Sequence, residues 1–344
     1  MHKKTSTSRL RTSVETTKQF RQLIVNSLGK MKDAHTAQVA FEELKELMRI
    51  HVNNTERMNT LLSIFAEQNE HMGLIQRKEG MKLFGVMGEV FESSLFPFIP
   101  KIIAICQKRV EDPQLHTSVS DSLGIMTHHI FKQADPSEKI KQLSVIVEQF
   151  LDIMRQGSKN VQIGSGMCLT RVIQNSPIET LTAVLEPLTN SLLELTQNSS
   201  LKCNTQVLET LISLVLAVEY EFEPYAHNFV PVLIDAMQNI KEWTTRKMAI
   251  DVVYTFAAFL PNAIAADVES IVTVLKERKA DKVKHVREAA HEALAKINEG
   301  RSTDPASNVI SVEESKQSME GKSIFKGPAN PNFFKAVPKS NTLN

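Results

Sequence analysis

The sequence has few of the residues that punctuate a chain: 12 Gly, 13 Pro and 6% aromatics, with one Trp, in 344 residues. So few breakers leave little room for the tight turns of all-β folds, and the long apolar stretches recur at helical rather than alternating spacing. An all-α chain is expected. Cysteine is scarce as well. Cys106, Cys168 and Cys203 make an odd number without CxxC spacing, and each lies in an apolar helical pattern. That argues against a disulfide framework or a zinc site and for buried free thiols in a reducing compartment. Charge excess is absent too: 40 Lys+Arg balance 39 Asp+Glu, for a formal +1. A chain-wide field tuned to nucleic acid is therefore not expected, and any recognition of anions must come from local placement. No apolar run reaches the length of a membrane span, and the basic N-terminus "MHKKTSTSRLRTS" lacks the apolar core of a signal peptide. Membrane partners are not expected, and the location implied is the cytosol.

Catalytic chemistry is equally hard to find. His128 and His129 are adjacent on a helix, not at the i, i+4 spacing of a helical metal pair. The stretches "GVMGEV" and "GSGM" lie within helical patterns instead of following a strand, so neither is a phosphate loop. No nucleophile sits with a base in a recognisable motif. A non-enzymatic protein without cofactor or metal is expected.

What the chain does have is a repeat. In "ADKVKHVREAAHEALAKI" (280–297), Val286, Ala289, Ala290, Ala293, Leu294 and Ile297 form one apolar stripe at helical spacing. The same stripe begins again at Thr36, Gln76, Leu115, Val161, Cys203 and Thr245, interrupted only by Glu43 and Glu79. Successive starts differ by 39 to 46 residues. That is the period of HEAT or armadillo units, about 40 to 47 residues. A second amphipathic stretch lies between each pair of copies, several carrying prolines (Pro97 and Pro100, Pro187, Pro224 and Pro231, Pro261) able to start or kink a helix. With a first helix from about Ser13 to Lys30, this gives an α-solenoid of about seven helix pairs. A single pair cannot bury its own stripe, so neighbours must stack.

The expected organisation is a flexible basic N-terminus over 1–12, the solenoid over 13–299 and a disordered tail over 300–344. Within the tail one aromatic island, 323–339, carries Phe325, Phe333 and Phe334. Exposed aromatics in a polar tail suit a short docking peptide for another cytoskeletal or ciliary protein, or a segment that folds back on the solenoid.

In a stacked solenoid the turns inside the pairs share one edge. Six of the seven turns carry a lysine; "EDPQLH" does not. The second position of the following helix reads as basic at Arg77, Arg246 and Arg287, with His116 in the third copy. Cations at a helix N-terminus oppose the helix dipole, at a few tenths of a kcal/mol each, unless an anion faces them. Trp243 sits inside one such turn, "KEWTTRK", flanked by Lys241, Arg246 and Lys247, a composition common in interface hot spots.

The stretches "KMKDAHTAQVAFEELKEL", "DPQLHTSVSDSLGIM" and "DKVKHVREAAHEAL" resemble the HEAT-repeat region of the plant tortifolia/spiral microtubule-associated proteins, within the wider class of TOG-like tubulin-binding arrays. The resemblance covers roughly residues 20 to 298. It implies binding to tubulin or microtubules through the intra-repeat turns, in the cytoplasm on the cytoskeleton or in a ciliary axoneme. By position it nominates Lys30, Lys32, Arg77, Lys78, Lys159, Lys202, Lys241, Trp243, Arg246, Lys247, Lys282, Lys284 and Arg287. TOG domains usually carry their tryptophan in the first turn, whereas here it lies in the sixth. The alternative is a HEAT scaffold or adaptor that holds a protein or peptide along its concave face.

Overall fold

The computed structural model describes residues 16–32, 34–67, 72–198, 201 and 203–302. Every regular element among them is helical: α1 (Thr17–Gly29), α2 (Ala34–His51), α3 (Thr55–Glu67), α4 (Leu74–Phe91), α5 (Ile99–Arg109), α6 (His116–Lys132), α7 (Pro136–Gln156), α8 (Lys159–Gln174), α9 (Ile178–Ala183), α10 (Leu185–Gln197), α11 (Asn204–Val218), α12 (Glu223–Asn239), α13 (Trp243–Phe259), α14 (Val268–Arg278) and α15 (Lys284–Ser302). Short 3-10 segments precede α5, α6, α12 and α14. The seven expected pairs are present, and the expected aromatic island (Phe325, Phe333, Phe334) lies outside the described residues, as does the basic N-terminus.

Pro231 lies inside α12, but other prolines act where the first helix of a pair begins. Pro100 and Pro224 lie in the first turns of α5 and α12, and Pro136 opens α7. There the missing N–H costs nothing, because the first helical donors have no intrahelical partner. Pro97 sits inside the 3-10 segment Glu92–Phe98, so the stretch expected as one helix is a 3-10 segment turning into α5. The fifth pair is divided similarly, α9 ending at Ala183 and α10 beginning at Leu185. The chain start of α1 is fixed by a capping box: Thr16 accepts from the Gln19 amide, and the Gln19 side chain accepts from the Thr16 N–H.

The chain forms two compact units, Met1–Gln149 and Phe150–Asn344, dividing inside α7. In the first, Phe20, Phe65, Phe84 and Phe131 are fully buried, and Phe65 meets Phe84 edge to face at 5.7 Å. Helices α4 and α6 approach so closely that a Cβ on Gly88 would lie 2.7 Å from the Met126 Cα. No other residue fits there without moving backbone. The two interruptions of the stripe are also accounted for. Glu43 accepts from the Ser27 hydroxyl and from Lys30, and Glu79 pairs with Lys82.

In the second unit Phe222 packs against Phe229 and Phe256, with centroids 5.9 and 6.1 Å apart. The stripe that defines the repeat, Val286 to Ile297, is buried throughout. Its second helices run side by side in a constant register. Thr170 of α8 meets Thr210 of α11 at 2.8 Å, and Gln174 donates to Ser213 at 3.1 Å. Thr205 of α11 meets Thr245 of α13 at 3.0 Å. Partners 39 or 40 residues apart in every case mean parallel helices whose N-termini share an edge. Each unit is thus a stack of HEAT-like pairs.

All three cysteines are buried and outside any disulfide, and burial pushes Cys106 and Cys203 up to about 12. The His128 and His129 rings, although on adjacent residues, meet edge to face at 5.3 Å. Among the described residues no cluster of His, Cys, Asp or Glu is able to hold a metal ion.

Candidate functional site

The basic residues of the turns separate into two groups once the helix starts are known. Arg77, Arg246 and Arg287 are each the fourth residue of their helices, because α4, α13 and α15 begin three residues earlier, at Leu74, Trp243 and Lys284. The second position read from sequence is therefore corrected. One turn into a helix, a side chain leans back toward the N-terminus and lies over the preceding turn. Arg246 accordingly donates to the carbonyls of Ile240 and Lys241 at 3.0 and 2.7 Å, and Arg287 to those of Asp281 and Lys282 at 2.8 and 3.1 Å. His116, behind its own 3-10 turn, meets the Val110 carbonyl at 2.8 Å in the same way. The carbonyls that accept these donors supply the negative dipole ends that the misplaced cations require.

A second contact ties neighbouring repeats together. Arg246 also grips Asp281 with two nitrogens, at 3.0 and 3.1 Å, and Asp281 accepts the Val283 N–H. The pair is largely withdrawn from water, with side chains 12% and 4% exposed. In the first unit Arg77 reaches Asp112 at 2.6 Å, and Asp112 accepts the Gln114 N–H two residues on. Both pairs span 35 residues, so this is one device used twice. Burial alone would raise the Asp281 carboxyl; the Arg246 and Val283 hydrogen bonds and the Arg246 and Arg278 charges outweigh it and hold the group below its ordinary value. For Asp112 the Gln114 N–H contributes most to the same lowering, against a smaller opposing effect of burial.

The lysines point elsewhere. Lys159, Lys241, Lys282 and Lys284 are exposed at or next to the starts of α8, α13 and α15. Lys284 makes a loose pair with Glu288 at 3.3 Å. Lys247 is the exception in this unit, half-buried and paired to the buried Asp251 at 2.5 Å. Lys202 lies outside the described residues. In the first unit Lys30 is tied to Glu43 at 2.6 Å, Lys32 is exposed and Lys78 is half-buried.

Trp243, first residue of α13, is 40% exposed and stacks on His285, second residue of α15, with ring centres 5.8 Å apart and planes 30° apart. Adjacent repeats therefore present one aromatic pair between Lys241 and Lys284. The turns 238–241 and 277–282, which lead in sequence toward Trp243 and His285, enclose an open recess of about 360 Å³ lined by Lys241, Arg246, Arg278, Lys282, Glu277 and Asp281 and by neither ring. Sequence reasoning missed Arg278 and did not nominate His285. His285 stood in the right turn, and only its stacking on Trp243 marks it out; nothing in the sequence singled out Arg278.

Comparison with known proteins adds the following. The TORTIFOLIA1 N-terminal family model matches residues 18–299. Two proteins of Arabidopsis thaliana, TORTIFOLIA1-like protein 2 and Microtubule-associated protein TORTIFOLIA1, are each 25% identical to the chain, over 86% and 89% of it. The chain spans about a third of their length, 36% in both cases. Among solved structures, Kap121p superposes with a TM-score of 0.64 over 88% of this chain and 31% of that one, at 12% identity. Kap121p bound to the C-terminus of the phosphatase Cdc14p gives 0.65 over 90% and 32%, at 13% identity. At such identity the likeness concerns the fold: an all-α solenoid of stacked helix pairs.

Proposed function

The chain belongs to the TORTIFOLIA1 N-terminal family, and from that membership we propose that it binds microtubules without catalysing a reaction, using exposed lysines and Trp243 on the turn edge of its second unit against acidic tubulin surfaces. The observation that carries this reading is the division of labour among the cations. Arg77, Arg246 and Arg287 are consumed by turn carbonyls and aspartates, whereas Lys241, Lys282 and Lys284 are exposed near an aromatic stack. Exposed cations around a desolvatable aromatic anchor are suited to an acidic partner. Microtubule association is carried in the name of one relative, which supports the partner's identity; the contact residues come from the geometry. Lys159 and, from the first unit, Lys32 and Lys78 are secondary contacts in this reading.

Co-sedimentation of the full chain with stabilised microtubules tests it. Binding should weaken clearly between low and physiological ionic strength, since exposed ionic contacts are screened over about 8 to 10 Å. Absence of co-sedimentation at low salt overturns the proposal. Binding that is indifferent to salt moves the contact off this edge and onto an adaptor-like concave face.

A further inference from the structure

We propose that the recess between the 238–241 and 277–282 turns is a subsite for an acidic peptide segment, one that reads side-chain carboxylates in the recess and rests a flanking residue on the Trp243–His285 stack outside it. This rests on the reading above for the charge of the partner, and adds where and in what form that charge is taken up. Three observations support it. First, two lysines stand on opposite turns of the recess, Lys241 on one and Lys282 on the other, both exposed. A ligand between them meets cations from two repeats at once.

Second, the two arginines of the lining differ in what they have left to offer. Arg246 makes four hydrogen bonds, two to Asp281 and one to each of two carbonyls. Arg278 is less engaged. It is 22% exposed, its terminal nitrogens lie 3.5 Å from Asp281 and 3.9 Å from Glu277, and its Nε is buried without a partner. A guanidinium carries five donors, and leaving them unmade away from water is costly. An incoming carboxylate is the group that matches its planar fork.

Third, the recess is not uniformly positive. Asp281 and Glu277 line it together with the cations. A chain with a phosphate at every residue would meet both carboxylates, whereas a peptide can place its acids at Arg278 and the lysines and a neutral or apolar residue against the stack. A volume of about 360 Å³ falls at the small end of ligand sites and accommodates side chains rather than a folded element.

The chain's single Trp is itself the reporter. Titrating the full chain with hexaglutamate should change Trp243 emission saturably, and the change should diminish as salt is raised. Lys241→Glu combined with Lys282→Glu, and separately Arg278→Gln, should each weaken the titration at least tenfold, while Lys108→Glu, at an exposed position on α5, leaves it unchanged. Far-UV circular dichroism confirms that the variants remain helical. A flat wild-type titration, or one undiminished in the helical recess variants, overturns the subsite. So does an oligothymidylate of equal charge that binds as well as the peptide, since the recess would then be a general anion site. Microtubule co-sedimentation of the same protein separates the two readings. Microtubules bound without a peptide response remove the subsite alone, and a peptide response that depends on the recess residues supports the subsite even if microtubules fail to bind.

Discussion

The same Arg–Asp device holds a turn in each of the two units, and its surroundings differ. Around Arg77 and Asp112 the chain places the half-buried Lys78, Glu111, Pro113 and the buried His116, and the Asp112 turn itself has no lysine. Around Arg246 and Asp281 it places Lys241, Lys282, Lys284 and the Trp243–His285 stack. The device is framework in both units; what is laid around it makes one copy a candidate binding surface. A basic residue at a repeat turn is therefore weak evidence of recognition until its donors have been traced.

The comparison is open to attack by substitution. Arg246→Ala should have the largest effect on stability, about 3 kcal/mol in urea unfolding, because it strips the buried Asp281 of its two-nitrogen partner and leaves only Arg278 at 3.5 Å and the Val283 N–H. Arg77→Ala should cost about 1 kcal/mol, since that pair is more exposed, at 19% and 30%. Equal losses at the two sites would show that the copies are not graded by burial. Between these lies Gly88→Ala, expected to cost about 2 kcal/mol because the new Cβ meets the α6 backbone.

Acid should reveal the aspartates of both copies. Asp112 and Asp281 are held below the ordinary carboxylate value in the fold. Their contribution is fully present above the unfolded value, about 4, and is lost as pH falls through the lower folded values. Asp281→Asn should therefore show a shallower fall of stability below pH about 4 than the unsubstituted chain. The smallest effect concerns the inter-repeat turns. Glu92 and Glu219 adopt φ of 47° and 49°, a region that disfavours a side chain. Glu92→Gly should be neutral to stabilising, by up to about 1 kcal/mol in the same assay, and a clear loss would mean that the Glu92 side chain makes a contact worth more than the strain.

Much of the fold was legible because a stacked repeat must bury the same stripe once per unit, and Val286 to Ile297 shows that stripe with few exceptions. Glu43, an apparent flaw in the pattern, is an acceptor for Ser27 and Lys30 on the preceding helix, which the stripe alone does not reveal. The positive-φ turns at Glu92 and Glu219 were hidden because no glycine marks them. The break between α9 and α10 was hidden because the apolar spacing continues through it.

The site was legible in composition and not in use. The lysines and Trp243 could be found by eye, but the partners of the arginines could not. Arg77 and Arg246 meet aspartates 35 residues away, and a sequence states neither that distance nor the one-turn offset that aims the side chain backward. Arg278, the last residue of α14, carries no mark in the sequence. Its value comes from what it lacks in the folded state.

The central claim is that the exposed lysines, and not the turn-bound Arg246 and Arg287, carry recognition on the edge of the second unit. The direct measurement is microtubule co-sedimentation, at fixed low ionic strength, of a chain carrying Lys241→Glu, Lys282→Glu and Lys284→Glu together. The account predicts that its helicity and melting temperature match the unsubstituted chain while microtubule affinity falls at least tenfold. An unchanged affinity in a fully folded triple variant would contradict it.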